Sequence, residues 1–98
     1  MCGAPVQTLD LEGIDVAKES IVQGTVVRSS SPVGGAYVRL LDSTGEFTAE
    51  VQTSASGAFR FFAAPGEWTL RVLTPGGGST DAAATATLGE VAELTVEV

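Results

Sequence analysis

The stretch GAFRFFAAPGEWTLRVL, residues 57–73, decides the fold. Phe59 and Phe61 stand on either side of Arg60. Beyond the APG break, Trp68, Leu70 and Val72 alternate with Thr69 and Arg71. A period of two belongs to a strand with one face in a core and the other in water. The arginines fix the phase, because a buried guanidinium without a partner is costly. Arg60 and Arg71 must therefore face outward or find partners. A helix is excluded by the spacing and by the frequent glycines.

Working outward, the same grammar recurs. IVQGTVV (residues 21–27) is rich in β-branched residues and ends in the turn cluster RSSSPVGG. AYVRLL (36–41) sets Ala36, Val38 and Leu40 against Tyr37 and Arg39, and DSTGE breaks it. FTAEVQT (47–53) puts Phe47, Ala49 and Val51 on one face and Thr48, Glu50 and Gln52 on the other, before the turn SASG. LTPGGGSTD (73–81) reads as the longest loop. AAATATL (82–88) is ambiguous: alanine favours helix, but the threonines and the need for a partner strand favour a strand. VAELTVEV (91–98) closes the pattern. Short strands at this spacing predict an all-β fold, a single antiparallel β-sandwich of about seven strands. The sandwich is expected over residues 19–98, with an irregular N-terminal arm over residues 1–18. The predicted core is Val22, Val26, Val38, Leu40, Val51, Phe59, Phe61, Trp68, Leu70, Val72, Leu94 and Val96. Gly24, inside a strand, marks a bulge or a close backbone approach.

Composition narrows the function mainly by exclusion. Ninety-eight residues suit one domain. Scaling laws let a chain of this size bury about two thirds of its surface, enough for one modest core without staples. The single cysteine cannot form an internal disulfide. Twelve acids against five basic residues leave a net charge of −7, which argues against nucleic acid and anionic membrane as partners. No run reaches the ~18 apolar residues of a spanning helix, and no basic region precedes an apolar run at the start. A cytoplasmic protein is therefore expected. Histidine and asparagine are absent, which removes the commonest general base and metal ligand. The acids are not clustered as calcium ligands are. The triple glycine lacks the lysine and following helix of a phosphate-binding loop. No metal, no cofactor and no enzymatic activity are expected.

Two readings of candidate sites remain. Cys2 stands next to Met1; if Met1 is removed, thiol and α-amine share one residue, and the amine when protonated favours a thiolate. Such a thiol is a candidate sulfur acceptor, as a persulfide. Against this, Cys2 has no basic neighbour in sequence, and an incidental tail residue is the plainer reading. Tyr37 and Phe62 fall on the outward phase. They are a candidate partner surface, or ordinary exposed apolar residues.

The spaced set of Gly24 between Val22 and Val26, Ala36-x-Val38-x-Leu40, Gly57-x-Phe59-x-Phe61 and Pro65-Gly66-x-Trp68-x-Leu70-x-Val72 resembles the carboxypeptidase-regulatory-like domain, a transthyretin-like β-sandwich. That resemblance implies an accessory module. Hydrolases of the transthyretin-like class need histidines, which are missing here. The lysine–asparagine crosslink of some adhesin sandwiches is impossible with Lys18 alone and no asparagine. MCGAP, GGAYVRLLDSTGEFTAEV and GAFRFFAAPGEWTLR are also similar to a family of short actinobacterial proteins of unknown function. That family is sometimes labelled SseC and is associated with thiosulfate sulfurtransferase (rhodanese) genes. This second resemblance covers nearly the whole chain. It implies a link to sulfur metabolism and a sulfurtransferase as protein partner.

Overall fold

The computed structural model describes residues 13–98. Eight strands follow in chain order: β1 Ile21–Arg28, β2 Ser31–Pro32, β3 Tyr37–Leu41, β4 Phe47–Gln52, β5 Ala58–Phe62, β6 Gly66–Leu73, β7 Ser79–Ala86 and β8 Val91–Glu97. They form two sheets. In the first, β1 is central and pairs directly with β8, β5 and β2, with β5 against its first half and β2 against its last two residues; the second runs β4-β3-β6-β7. The sheets enclose one core. Val22, Val26, Phe59, Phe61 and Val96 come from the first sheet, and Val38, Leu40, Leu70, Val72, Ala84 and Ala86 from the second. The rings of Phe59 and Phe61 lie 6.2 Å apart between centroids, tilted by 53°, an ordinary aromatic pair geometry.

The β-sandwich and the strand phases agree with the alternation in the sequence. Of the predicted core, nine residues are buried; Val51, Trp68 and Leu94 are only partly so, packed against its rim. Trp68 lies near the start of β6, where its indole N–H donates to the Ala64 carbonyl at 2.8 Å. The polar end of the ring needs that partner, and the partner sits in the turn at the rim rather than in the core.

Several expectations need correction. Pairing is antiparallel throughout except for β1 with β8, which run parallel from Ile21↔Val91 to Val27↔Glu97. Nothing in the alternation of either strand specifies direction. The eighth strand is β2, drawn from the cluster read only as a turn. Ser29 and Ser30 take positive φ of 50° and 67°, making the two-residue hairpin that usually wants Asn-Gly. The loop after Leu73 is shorter than expected, because Ser79, Thr80 and Asp81 pair with Leu73, Val72 and Arg71. Correspondingly β7 stops at Ala86, leaving Leu88 exposed. Phe47 is 61% exposed instead of sharing the inner face with Ala49 and Val51. The register shifts between Leu40 and Leu41, so that Leu40 faces Ala49 while Leu41 faces Phe47. This bulge reverses the side-chain phase beyond it. Of the expected irregular arm, residues 1–12 lie outside the described residues, and within the remainder Val16–Lys18 form one 3-10 turn. The Gly89 amide donates to the Glu19 carbonyl at 2.7 Å, tying that segment to the β7–β8 turn.

Gly24 is a close approach. A Cβ there would collide with the Leu94 carbonyl of β8 and come within 3.0 Å of the Phe59 ring. Glycine is thus what lets the central strand meet β8 and the core ring together.

Candidate functional site

The outer face of the second sheet gathers the chemistry. Val38, Leu40, Leu70 and Val72 point into the core, so Tyr37, Arg39 and Arg71 point out. Register then aligns Glu50, Arg39, Arg71 and Asp81 side by side across all four strands. Arg39 Nε donates to Glu50 Oε2 at 2.7 Å. Arg71 grips Asp81 with two bonds, Nε to Oδ1 at 2.9 Å and Nη2 to Oδ2 at 3.1 Å. The row reads acid, arginine, arginine, acid. Two like charges directly opposite each other are unfavourable alone; the flanking carboxylates offset them. The bond from Arg71 holds the Asp81 carboxyl below its ordinary pKa, and the same bond raises the guanidinium.

The neighbouring rows differ in character. On one side Tyr37 pairs with Leu73, and Tyr37 is 47% exposed. On the other, Leu41 pairs with Thr69 and Phe47, with Phe47 largely in solvent. One further step along the strands lies a shallow depression of about 240 Å³, lined by Ser43, Glu67, Trp68, Thr69, Ala83 and Thr85. Pockets for drug-sized ligands run from about 300 to 1,000 Å³, so the depression suits a side chain. The turn beside it is fixed by Asp42. Its Oδ1 accepts from the Thr44 hydroxyl at 2.6 Å, the Thr44 amide at 2.9 Å and the Glu46 amide at 3.0 Å. These bonds, with that of the Thr44 hydroxyl largest, lower the Asp42 pKa.

Tyr37 and Phe62 are both exposed, as their phase implied. They do not form one patch: Tyr37 is on β3 of the second sheet, Phe62 on β5 of the first, beside Ile21. Arg60, the third alternating arginine, donates from Nε to Gln23 Oε1 at 2.8 Å. The other candidate, Cys2, lies outside the described residues. Among the described residues, no three His, Cys, Asp or Glu side chains converge as a metal site, and no helix is long and apolar enough to cross a membrane. Sequence reasoning missed the acid–arginine row. The alternating arginines were visible, but their alignment with Glu50 and Asp81 depends on cross-strand register. Phe47 was hidden by the bulge.

Comparison with known proteins agrees with this picture of a small two-sheet domain. An uncharacterised protein of Mycobacterium tuberculosis is 57% identical over 79 residues, covering 79% of either chain. One of Mycolicibacterium smegmatis is 59% identical over 66 residues, 66% of this chain and 73% of that one. Among solved structures, the fold resembles the major pilin subunit BcpA of Bacillus cereus, with a TM-score of 0.63 and 14% identity; the match covers 82% of this chain and 29% of the pilin. It also resembles the dioxygenase domain of a dioxygenase carbohydrate-binding protein fusion from Streptomyces sp. SirexAA-E. There the TM-score is 0.64 at 12% identity, over 100% of this chain and 95% of that one. At such identities the likeness is one of fold. The pattern of one family, described as a protein of unknown function (DUF1416), matches residues 2–98, and the chain belongs to that family.

Proposed function

We propose that this domain is a non-catalytic, cytoplasmic interaction module, and that it binds its partner through the outer face of β4-β3-β6-β7. One observation carries the reading. Exposed Tyr37 and Phe47 lie on either side of a fixed arginine pair on the same open sheet face, and tyrosine and arginine are the residues that most often anchor protein interfaces. The partner class follows from the resemblance to proteins associated with thiosulfate sulfurtransferases. The excess of acid makes nucleic acid and anionic membrane poor alternatives.

The test is calorimetric titration of the purified domain with the sulfurtransferase of the same organism. Binding is expected to weaken by about tenfold or more with Tyr37→Ala and to survive Phe62→Ala on the other sheet. Equal sensitivity to both variants, or no heat of binding with the native domain, overturns the reading. Cys2→Ser in the same titration separates it from a sulfur-acceptor role. An interaction module keeps its affinity without the thiol, whereas an acceptor loses sulfur loading, which intact mass spectrometry would register after incubation with the sulfurtransferase and thiosulfate, the outer sulfur passing to the thiol and sulfite leaving.

A further inference from the structure

We infer that the Arg39–Arg71 pair recognises a carboxylate, presented by an acidic side chain on an extended peptide segment of the partner lying along β3 and β6. The inference rests on the proposed binding face and names its recognition chemistry. The two guanidiniums are cross-strand neighbours. Each is tethered on its outer flank, Arg39 to Glu50 and Arg71 to Asp81. Tethering orients both, so less side-chain freedom is lost when a ligand arrives. Among the described residues, the hydrogen bonds of Arg39 run through Nε alone and those of Arg71 through Nε and Nη2. That leaves both Nη groups of Arg39 and Nη1 of Arg71 for an outside acceptor. A carboxylate between them would accept from these remaining donors in charge-assisted bonds.

The spacing of the face favours an extended segment over a free small acid. Alternate residues on a strand are about 7 Å apart and point the same way. The Tyr37–Leu73 row, the arginine row and the Leu41–Thr69 row follow at that interval. A strand-like peptide lying along them sets its acid on the arginines. Its residues two before and two after then reach Tyr37 on one side and the rim of the depression at Thr69 and Ala83 on the other. The overall charge of −7 opposes an anionic ligand at long range. At physiological salt that repulsion fades over about 8 Å, while contact with two arginines acts at hydrogen-bond distance. Added salt should therefore weaken binding little, and moderate salt should help the peptide approach.

The probe is a seven-residue peptide of alternating threonine and valine with one central glutamate, capped at both ends. Its control carries glutamine at the centre. With the full chain labelled by nitrogen-15, the glutamate peptide should shift the Nε–H signals of Arg39 and Arg71 and the amides of Thr69 and Ala83. It should bind about tenfold more tightly than the glutamine peptide, the usual difference between a charge-assisted and a neutral hydrogen bond. Arg39→Gln with Arg71→Gln should abolish that preference while amide dispersion shows the fold intact. Equal affinity for the two peptides, no binding of either, or shifts confined to other faces overturns the inference. The broader reading fails separately. If the double variant binds the sulfurtransferase unchanged while Tyr37→Ala does not, the interaction face stands and the carboxylate role falls. If the glutamate peptide binds as described but the sulfurtransferase does not, the carboxylate role stands and the named partner falls.

Discussion

The outer faces of the two sheets are built from similar strands but treat their polar rows differently. On the first, Ile21 and Gln23 stand in the outward phase of β1, yet both are buried. Gln23 lies between Arg60 and Glu93 on the neighbouring strands, and the Arg60 bond to its side chain satisfies part of a buried amide. On the second, the outward phase of β3 and β6 buries Leu41 at one end but carries exposed paired charges at Arg39 and Arg71 with exposed Tyr37 and Phe47 as neighbours. A closed polar contact contributes to holding the fold, because an unmatched partner would be left out of water. An open row contributes little to stability and is free to serve recognition. The comparison teaches that the same arginine-between-hydrophobes pattern encodes structure on one sheet and an available surface on the other.

The sharpest way to break the contrast is to damage what both faces share. Phe59→Ala should lower unfolding free energy by about 3–5 kcal/mol, a large part of the total for a domain of this size. Chemical denaturation measures it, and a loss below about 1 kcal/mol would contradict the packing of β5. Trp68→Ala should cost about half as much as Phe59→Ala, since the indole lies at the rim. A cost equal to that of Phe59 would mean the ring is part of the central core. Gln23→Ala, on the first sheet, should cost about 1–3 kcal/mol by removing a buried amide together with its bond from half-buried Arg60. Asp81→Asn, on the open face, should leave the melting temperature close to that of the native chain. If the two substitutions prove equal in thermal melts, the division between closed and open faces is wrong.

The smallest effect concerns acid. Asp42 and Asp81 both have lowered pKa values, so the folded state binds their protons less readily than the unfolded one. Their stabilising contribution is present above the ordinary carboxylate pKa and is lost as pH falls through the depressed values. Asp81 is exposed and Asp42 at least partly so, and solvent screening keeps the contribution slight. Melting temperatures below about pH 5 should fall a little less steeply in a chain carrying Asp42→Asn and Asp81→Asn. An identical acid limb would show that neither turn nor row favours the ionised form.

Much of the fold was legible because sheets with one buried face write a period of two into the chain. Phe59, Phe61, Leu70 and Val72 are where their spacing places them. What stayed illegible depends on relations between strands. The parallel direction of β8, the bulge that turns Phe47 outward and the lining up of Glu50 with Arg39 and of Asp81 with Arg71 are all set by pairing partners far away in sequence. The candidate face was half visible for the same reason. Tyr37 and the arginines announced their outward phase, but nothing local announced that they would share rows with two acids or border a depression beside Ala83.

The parallel pairing of β1 with β8 has a kinetic consequence. Residue 21 meets residue 91 and residue 27 meets residue 97, so the central strand of the first sheet gains its second neighbour only by closing nearly the whole chain into a loop. Loop closure of this length comes before any contact rewards it, which slows folding relative to a meander of local hairpins. Until then one full edge of β1, with its run of β-branched residues, is an unpaired template for strands of other molecules. Refolding should accordingly be slow for a domain of this size and sensitive to protein concentration. Gly24, by admitting the β8 backbone without a side chain in the way, is the point at which that late closure succeeds or fails.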